Sequence, residues 1–330
     1  MSQVLIYCHR PLLLNPRGGE ISVWIIAKFL RRHGHEVTCV HPSWPYQAFT
    51  HPEEDIAFCA EKDLGQLRPD VVLSWGIASS LAHHYCVQRD IPHIMMVRWW
   101  RNVAPIPPGD LRSIVIPDDF YNAHSPLFEY ASSIICNNEY AARIVEKYYA
   151  VAGKTAVSYV PLDNTGDKSN RARDGGCITL VSPEKHLGEP DLINALARRL
   201  PHRTFYLPNT NNPWQAPRNV RFSPWDTDWV ERTDMVLYPV YYNDVCGTSR
   251  VFIEAARYGI PSIMTNRSGL CEKGGYEIDR EATADDWVDA IERMYAHPKE
   301  ALATSRHFFA TYHNGAQLRT FQSAIEEALI

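Results

Sequence analysis

Short runs of apolar residues, separated by helix-length stretches of mixed polarity, recur along the chain. The first, VLIYC (4–8), leads through a polar loop, LNPRGGE, into ISVWIIAKFLRRHG, where Ile21, Ile25 and Phe29 recur at helical spacing and Gly34 supplies a stop. EVTCV (36–40), DVVLSW (70–75), IPHIMMV (91–97) and SSIICNN (132–138) continue the strands, the last followed by a helical EYAARIVEKYY. Strands this uniformly apolar are buried on both faces. Their alternation with helices predicts a parallel sheet covered on both sides.

The run VPLDNTGDKSNRARDGG (160–176) breaks the rhythm: it is polar, charged and glycine-containing, and reads as an interdomain linker. A second series follows, with CITLVS (177–182), the helix EPDLINALARRLP, TFYLPN, MVLYPV (235–240) and IPSIMTN (260–266). The closing stretch, from ATADDWVDAIERMY onward, is helical almost throughout. The expected architecture is α/β, with two Rossmann-like parallel-sheet domains, a cleft between them and a helical C-terminal tail. Residues 1–165 form the first domain, 166–305 the second, and 306–330 a helix that can return to the first.

Length and composition agree with that division. At 330 residues the chain exceeds one comfortable core, and 45% hydrophobic with 22% charged residues is the balance of a globular protein. A net charge of −5 supplies no basic stripe, so extended nucleic-acid binding is not expected. The eight cysteines are scattered, with no CxxC and no metal-ligand spacing, and read as reduced, buried thiols. MSQVLIYCHR has no apolar signal core, and no run approaches a membrane span, so the expected location is cytoplasmic, with at most peripheral membrane contact.

Ligands of open α/β sheets bind beyond the carboxyl ends of the strands, and three loops there have suitable chemistry. PRGGE (16–20) places Gly18 and Gly19 before a helix, where backbone can approach a ligand and the helix end favours an anion. It is neither GxGxxG nor a Walker loop, so a dinucleotide or NTPase site is not indicated. VSPEKHLGEP (181–190) carries Lys185, a point charge suited to phosphate, although a single loop lysine is most often simply solvated.

The third loop is the most informative. In YNDVCGTSRVFIEAARYGIPSI, Gly247, Thr248 and Ser249 offer amides and hydroxyls at a helix amino terminus, next to Arg250. Glu254 lies in that helix among apolar neighbours, where a carboxylate needs donors, such as paired ribose hydroxyls, and Arg250 either contacts a phosphate or pairs with Glu254. His9, after the first strand, is the histidine best placed for a base or orienting role, ahead of His83 and His84. RWWRNVAPIPPGD (98–110) mixes tryptophans, arginines and prolines that suit sugar stacking, a membrane surface or simply a packed domain edge.

With these motifs in place, the chain resembles retaining nucleotide-sugar glycosyltransferases of the GT-B fold, family 4, over most of its length. NPRGGEISVWIIAKFLRRHGHEVTCV is similar to that family's first strand-loop-helix-strand, and VSPEKHLGEPDL to its phosphate loop. MVLYPVYYNDVCGTSRVFIEAARYGIPSIMTNRSGLCE resembles its donor motif, Glu-x7-Glu followed by EAxAxGxP. The resemblance implies Lys185 at the donor diphosphate, Glu254 at the nucleotide ribose, and Gly18 and Gly19 near phosphate and acceptor. Cys246 falls where the first glutamate is expected, Ser249 where glycine is usual, and Leu180 where many members carry a phosphate-binding arginine. A thiol is a poor acceptor of sugar hydroxyls, so either Asp244, two residues earlier, replaces the glutamate, or the donor sugar is held differently, or transfer is lost; the first two together are expected. Arg98 aligns near the family's histidine beside the reacting carbon.

The implied activity is metal-independent sugar transfer, with no cofactor and with a nucleoside-diphosphate sugar (a UDP- or GDP-sugar) as co-substrate. The acceptor is a small molecule, a glycan or a lipid-linked sugar. The main rival is a degenerate member that binds nucleotide sugars without transferring them. A GT-B enzyme of other chemistry, such as an epimerase, comes next, and an NAD oxidoreductase last.

Overall fold

Parallel pairing dominates both halves of the protein. The computed structural model describes residues 1–8, 12–13, 18–41, 48–75, 78–97, 125–149, 151–162, 176–180, 189–208, 214–223, 229–239, 250–265, 276–279, 281–312 and 315–330. Of these, 1–97, 125–162 and 315–330 form one unit and 176–312 another.

The first unit is built on β1 (Gln3–Tyr7), β2 (Glu36–His41), β3 (Phe49–His51), β4 (Ile56–Ala60), β5 (Val71–Trp75), β6 (His93–Val97), β7 (Ser133–Cys136) and β8 (Thr155–Val157). Their order is β3-β4-β2-β1-β5-β6-β7-β8, and only the edge strand β3 runs antiparallel. The apolar run of β1 follows from period-two alternation with cover on both sides. Val4, Ile6 and Cys8 face α1 (Gly18–Arg32), in one cluster with Val23, Ile26 and Leu30. Leu5 and Tyr7 face α2 (Ala78–Arg89), with Ala82, Tyr85 and Cys86. α3 (Ser125–Tyr130) and α4 (Glu139–Tyr149) complete the helices between the later strands.

Several local details differ from the sequence pattern. The buried stripe of α1 is Val23, Ile26, Ala27 and Leu30, while Ile21 and Phe29 are only partly covered. Phe29 instead stacks on His33, with ring centroids 3.9 Å apart. Gly34 ends α1 at φ 88, and the His35 amide donates to Leu30 O while the Gly34 amide donates to Arg31 O, a Schellman closure that wants a left-handed residue. β3, β4 and β8 were not expected as strands, because runs of three to five residues are too short to carry a clear period. The linker expected from 160 begins later, since Val160 and Leu162 are buried.

The second unit contains β9 (Cys177–Thr179), β10 (Thr204–Pro208), β11 (Val220–Ser223), β12 (Thr233–Tyr238), β13 (Ser262–Thr265) and β14 (Tyr276–Ile278). Their order is β11-β10-β9-β12-β13-β14, with every pair parallel. α5 (Glu189–Arg199), α6 (Arg250–Arg257), α7 (Ala284–Ala296) and α8 (Pro298–Tyr312) belong to the same unit. One core gathers Ile178, Ile193, Leu196, Phe205, Leu237 and Trp287 from strands and helices alike. The Thr179 and Thr233 hydroxyls meet at 2.7 Å, and Thr233 Oγ1 donates to Trp229 O, so the polar atoms at the β9–β12 joint are satisfied.

The stretch from 298 to the end holds two helices. Gly315, left-handed at φ 74, separates α8 from α9 (Ala316–Ala328). α9 lies with the first unit: Phe321, Ala324 and Ile325 enter its core, and Gln322 Oε1 is 2.9 Å from His35 Nε2. None of the described helices is long and apolar enough to cross a membrane.

Candidate functional site

In the second sheet, β9 continues to β10 on one side while β12 flanks it on the other, so the winding reverses between β9 and β12. Such a switch point is where an open α/β sheet leaves a crevice at its carboxyl edge. The register pairs Val236 with Thr179, which puts the ends of these strands side by side. Lys185, after β9, and Asp244, Cys246, Gly247, Thr248 and Ser249, after β12, lie outside the described residues. Their anchors do not. Leu180 is 3% exposed, its amide bonded to Tyr206 O at 3.1 Å, so it is core rather than site.

α6 follows from the β12 side. Phe252, Ile253, Ala255 and Ala256 are buried, and none of its residues is fully exposed. Phe252 packs edge-on against Tyr238 of β12, with centroids 4.7 Å apart, seating the helix on the sheet. Gly259, at φ 67, closes it: the Ile260 amide reaches back to Ala255 O at 2.9 Å, and Ile260 is itself buried. Ser305 of α8 donates to Ile260 O at 3.0 Å and holds this corner from behind.

Glu254 therefore stands on a helix with little free surface. Its side chain is 27% accessible, and Arg250 Nε donates to its Oε1 at 2.6 Å. Of the donors expected for this carboxylate, the structure supplies Arg250.

In the first unit the reversal falls between β1 and β5. Gly18 and Gly19 are already the first residues of α1 rather than loop; having no side chain, they add nothing to the apolar period by which a helix is read in the sequence. Gly19 is where backbone comes close, and what it meets is Trp75 at the end of β5. A Cβ on Gly19 would run into Cη2 of that indole and lie 2.8 Å from Cζ3. Trp75 was not singled out in the sequence: an aromatic at a strand's carboxyl end was there to be noticed, but its approach to the distant Gly19 was not. His9 and Arg98 lie outside the described residues, as does the segment 98–110.

His93 is structural in setting. His93 is fully buried, its Nε2 2.7 Å from Ser74 Oγ, which donates to Ser79 Oγ at 3.0 Å. Burial, then the neighbouring His83, pulls its pKa down to about 3, so it is neutral. His83 is half-buried and lowered, first by desolvation and then by His84, while His84 is exposed beside Gln88. Cys8, Cys39, Cys59, Cys86 and Cys136 are buried and free. Burial raises the Cys59 and Cys86 thiols to about 11 and about 12, which suits inert packing.

The sequence matches no protein-family model, and no curated protein matches it. Solved structures are nonetheless similar along its whole length. Sucrose-phosphate synthase from Thermosynechococcus elongatus superposes with a TM-score of 0.76 at 13% identity, covering 100% of this chain and 99% of that one. HepE of Anabaena, solved with UDP-glucose, gives 0.68 at 16% identity over 100% and 99%. The lipopolysaccharide outer core galactosyltransferase WaaB, in its apo form, gives 0.64 at 14% identity over 99% of each chain. At such identities the likeness establishes the fold, which is GT-B: two Rossmann-like parallel-sheet units with helices at the C-terminus. By their names, these neighbours include glycosyltransferases.

Proposed function

We propose that the protein is a retaining glycosyltransferase that moves a sugar from a nucleoside-diphosphate sugar to an acceptor without a metal, in the cytoplasm. The observation that carries this reading is Glu254. A carboxylate on a nearly covered helix, one oxygen engaged by Arg250, follows the strand that flanks the sheet's switch point. The other oxygen, Oε2, is the acceptor for ribose hydroxyls. Neighbours of the same fold support the ligand class, since HepE was solved with UDP-glucose and with UDP.

The residues divide the work as follows. Glu254 orients the nucleotide, Lys185 and the amides of Gly247, Thr248 and Ser249 meet the diphosphate, and Asp244 takes the sugar hydroxyls in place of the residue at Cys246. Electrostatic stabilisation of the departing diphosphate supplies the catalysis, so no protein nucleophile is needed. Gly18 and Gly19 lie toward the acceptor, with His9 and Arg98 near the reacting carbon. The acceptor is a small molecule, a glycan or a lipid-linked sugar.

Thermal denaturation against a panel of UDP-, GDP- and ADP-sugars tests this directly. A bound ligand at a hundred times its Kd stabilises by about 2.7 kcal/mol, an easily read shift. Glu254→Ala and Lys185→Ala are each expected to abolish it while the unliganded protein stays folded. A shift that survives in Glu254→Ala would refute the site. Binding without any turnover of the donor would identify a nucleotide-sugar-binding protein instead.

A further inference from the structure

We propose that the cavity between the 3-10 turn Glu61–Gln66 and α2 is a binding site for an apolar α-amino acid, held as a zwitterion between Glu61 and Arg89. The assignment does not rest on the nucleotide-sugar reading above.

The cavity follows from the way the first sheet is wound. β4 and β5 run parallel with β2 and β1 between them, and such a crossover is usually filled by an α-helix. Here six residues of 3-10 turn follow β4 instead. A depression of about 360 Å³ lies between that turn and α2, a volume within the range of small-molecule sites. Leu64 and the exposed Leu81 give it apolar walls.

Two opposite charges line this cavity, and each is held by a tyrosine of the core. Tyr7 is fully buried, and its hydroxyl donates to Glu61 Oε1 at 2.7 Å. Burial, then that hydrogen bond, raises the phenol far above its usual range, so it stays a donor. Glu61 Oε2 is left for a ligand. The Arg89 guanidinium lies 4.3 Å from the ring centroid of Tyr85, which is itself buried. Both tyrosines belong to one core cluster with Leu5, Val72 and Ala82, so both charged heads are anchored to the same floor.

Neither charge has a countercharge. Among the described residues Glu61 meets no base and Arg89 no acid, and the two do not pair with each other although they share the cavity. His84 and Gln88, further polar groups of the wall, are engaged with one another at 2.8 Å. A lone anion would be attracted by Arg89 and repelled by Glu61, and a lone cation the reverse. A neutral sugar would leave both charges uncompensated. An apolar α-amino acid matches the charges and the walls together. Its ammonium meets Glu61, its carboxylate meets the guanidinium fork, and its side chain covers Leu64 and Leu81.

Calorimetric titration of the full chain with the common apolar L-amino acids tests the assignment. At least one is expected to bind. Its amide, which lacks the carboxylate, and its N-acetyl derivative, which lacks the ammonium, should each bind about tenfold more weakly, the worth of a hydrogen bond to a charged group. These derivatives are tried on the natural protein, so this arm depends on no variant. Glu61→Gln, which keeps an acceptor for Tyr7, should weaken the amino acid about tenfold and leave the N-acetyl derivative unchanged. Arg89→Gln should weaken the amino acid to a similar degree and leave the amide unchanged.

No binding of any apolar amino acid would overturn the proposal. Equal affinity for the amino acid and both derivatives would do the same, since only the apolar walls would then be at work. Binding untouched by either variant would place the ligand elsewhere on the chain and remove the site.

Discussion

Replacing Gly19 by alanine puts a methyl carbon where the indole of Trp75 already stands, so the effect on stability should depend on residue 75. The added carbon would lie 2.8 Å from Cζ3 and closer still to Cη2, against an ordinary carbon–carbon contact of about 3.5–4.0 Å. Overpacking of this kind costs about 1–3 kcal/mol. Alanine is the better helix former by up to about 1 kcal/mol, which offsets part of that cost. The net expectation is a loss of about 1–2 kcal/mol, or about 2–8 °C in the Tm of a unit of this size. In a Trp75→Ala background the clash is gone and only the helix term remains. There, Gly19→Ala should be neutral or stabilising by up to about 1 kcal/mol. The assay compares melting midpoints of the natural protein, both single variants and the double variant. The same destabilisation in both backgrounds would refute the packing argument and return Gly19 to a role in backbone flexibility or ligand approach.

Three further outcomes follow from the described geometry. The unfolded chain protonates His93 near pH 6.5, whereas the folded protein keeps it neutral down to about 3. The unfolded state thus binds more protons across that window, and this one group should lower stability by up to about 1.4 kcal/mol per pH unit as pH falls. His93→Asn should flatten the acid limb of a Tm–pH curve, and an unchanged limb would show that the buried imidazole is not its source. Gly259→Ala forces a side chain into a left-handed position at the end of α6 and should cost about 1–2 kcal/mol in thermal unfolding, with equal stability counting against the Schellman closure. Brief alkylation of the native protein, read by peptide mass spectrometry, should leave Cys8, Cys39, Cys86 and Cys136 unmodified, since all four are buried from the reagent and burial also raises the thiols of Cys8, Cys86 and Cys136; rapid labelling of any of them would contradict that burial.

Much of the fold was legible in the residue order because burial leaves a local trace. VLIYC, DVVLSW and IPHIMMV read as strands covered on both faces, and they are; Gly34 read as a helix stop and sits left-handed at one. β3, β4 and β8 were not, since a short strand owes its place to neighbours more than to its own pattern. Glu254 stood out as a carboxylate in apolar company, but its environment did not.

Strand order, and with it the switch point between β9 and β12, depends on contacts among residues far apart in the chain, which no local period encodes. The same holds for Gly19 against Trp75, and for α9 beneath the first sheet. The pairing of Arg250 with Glu254 is local in sequence, yet its meaning is tertiary. Only packing decides that the helix is nearly covered and that the guanidinium keeps one nitrogen without an acceptor among the described residues. Hydrophobic pattern specifies what must be buried; the tertiary fold decides what it is buried against.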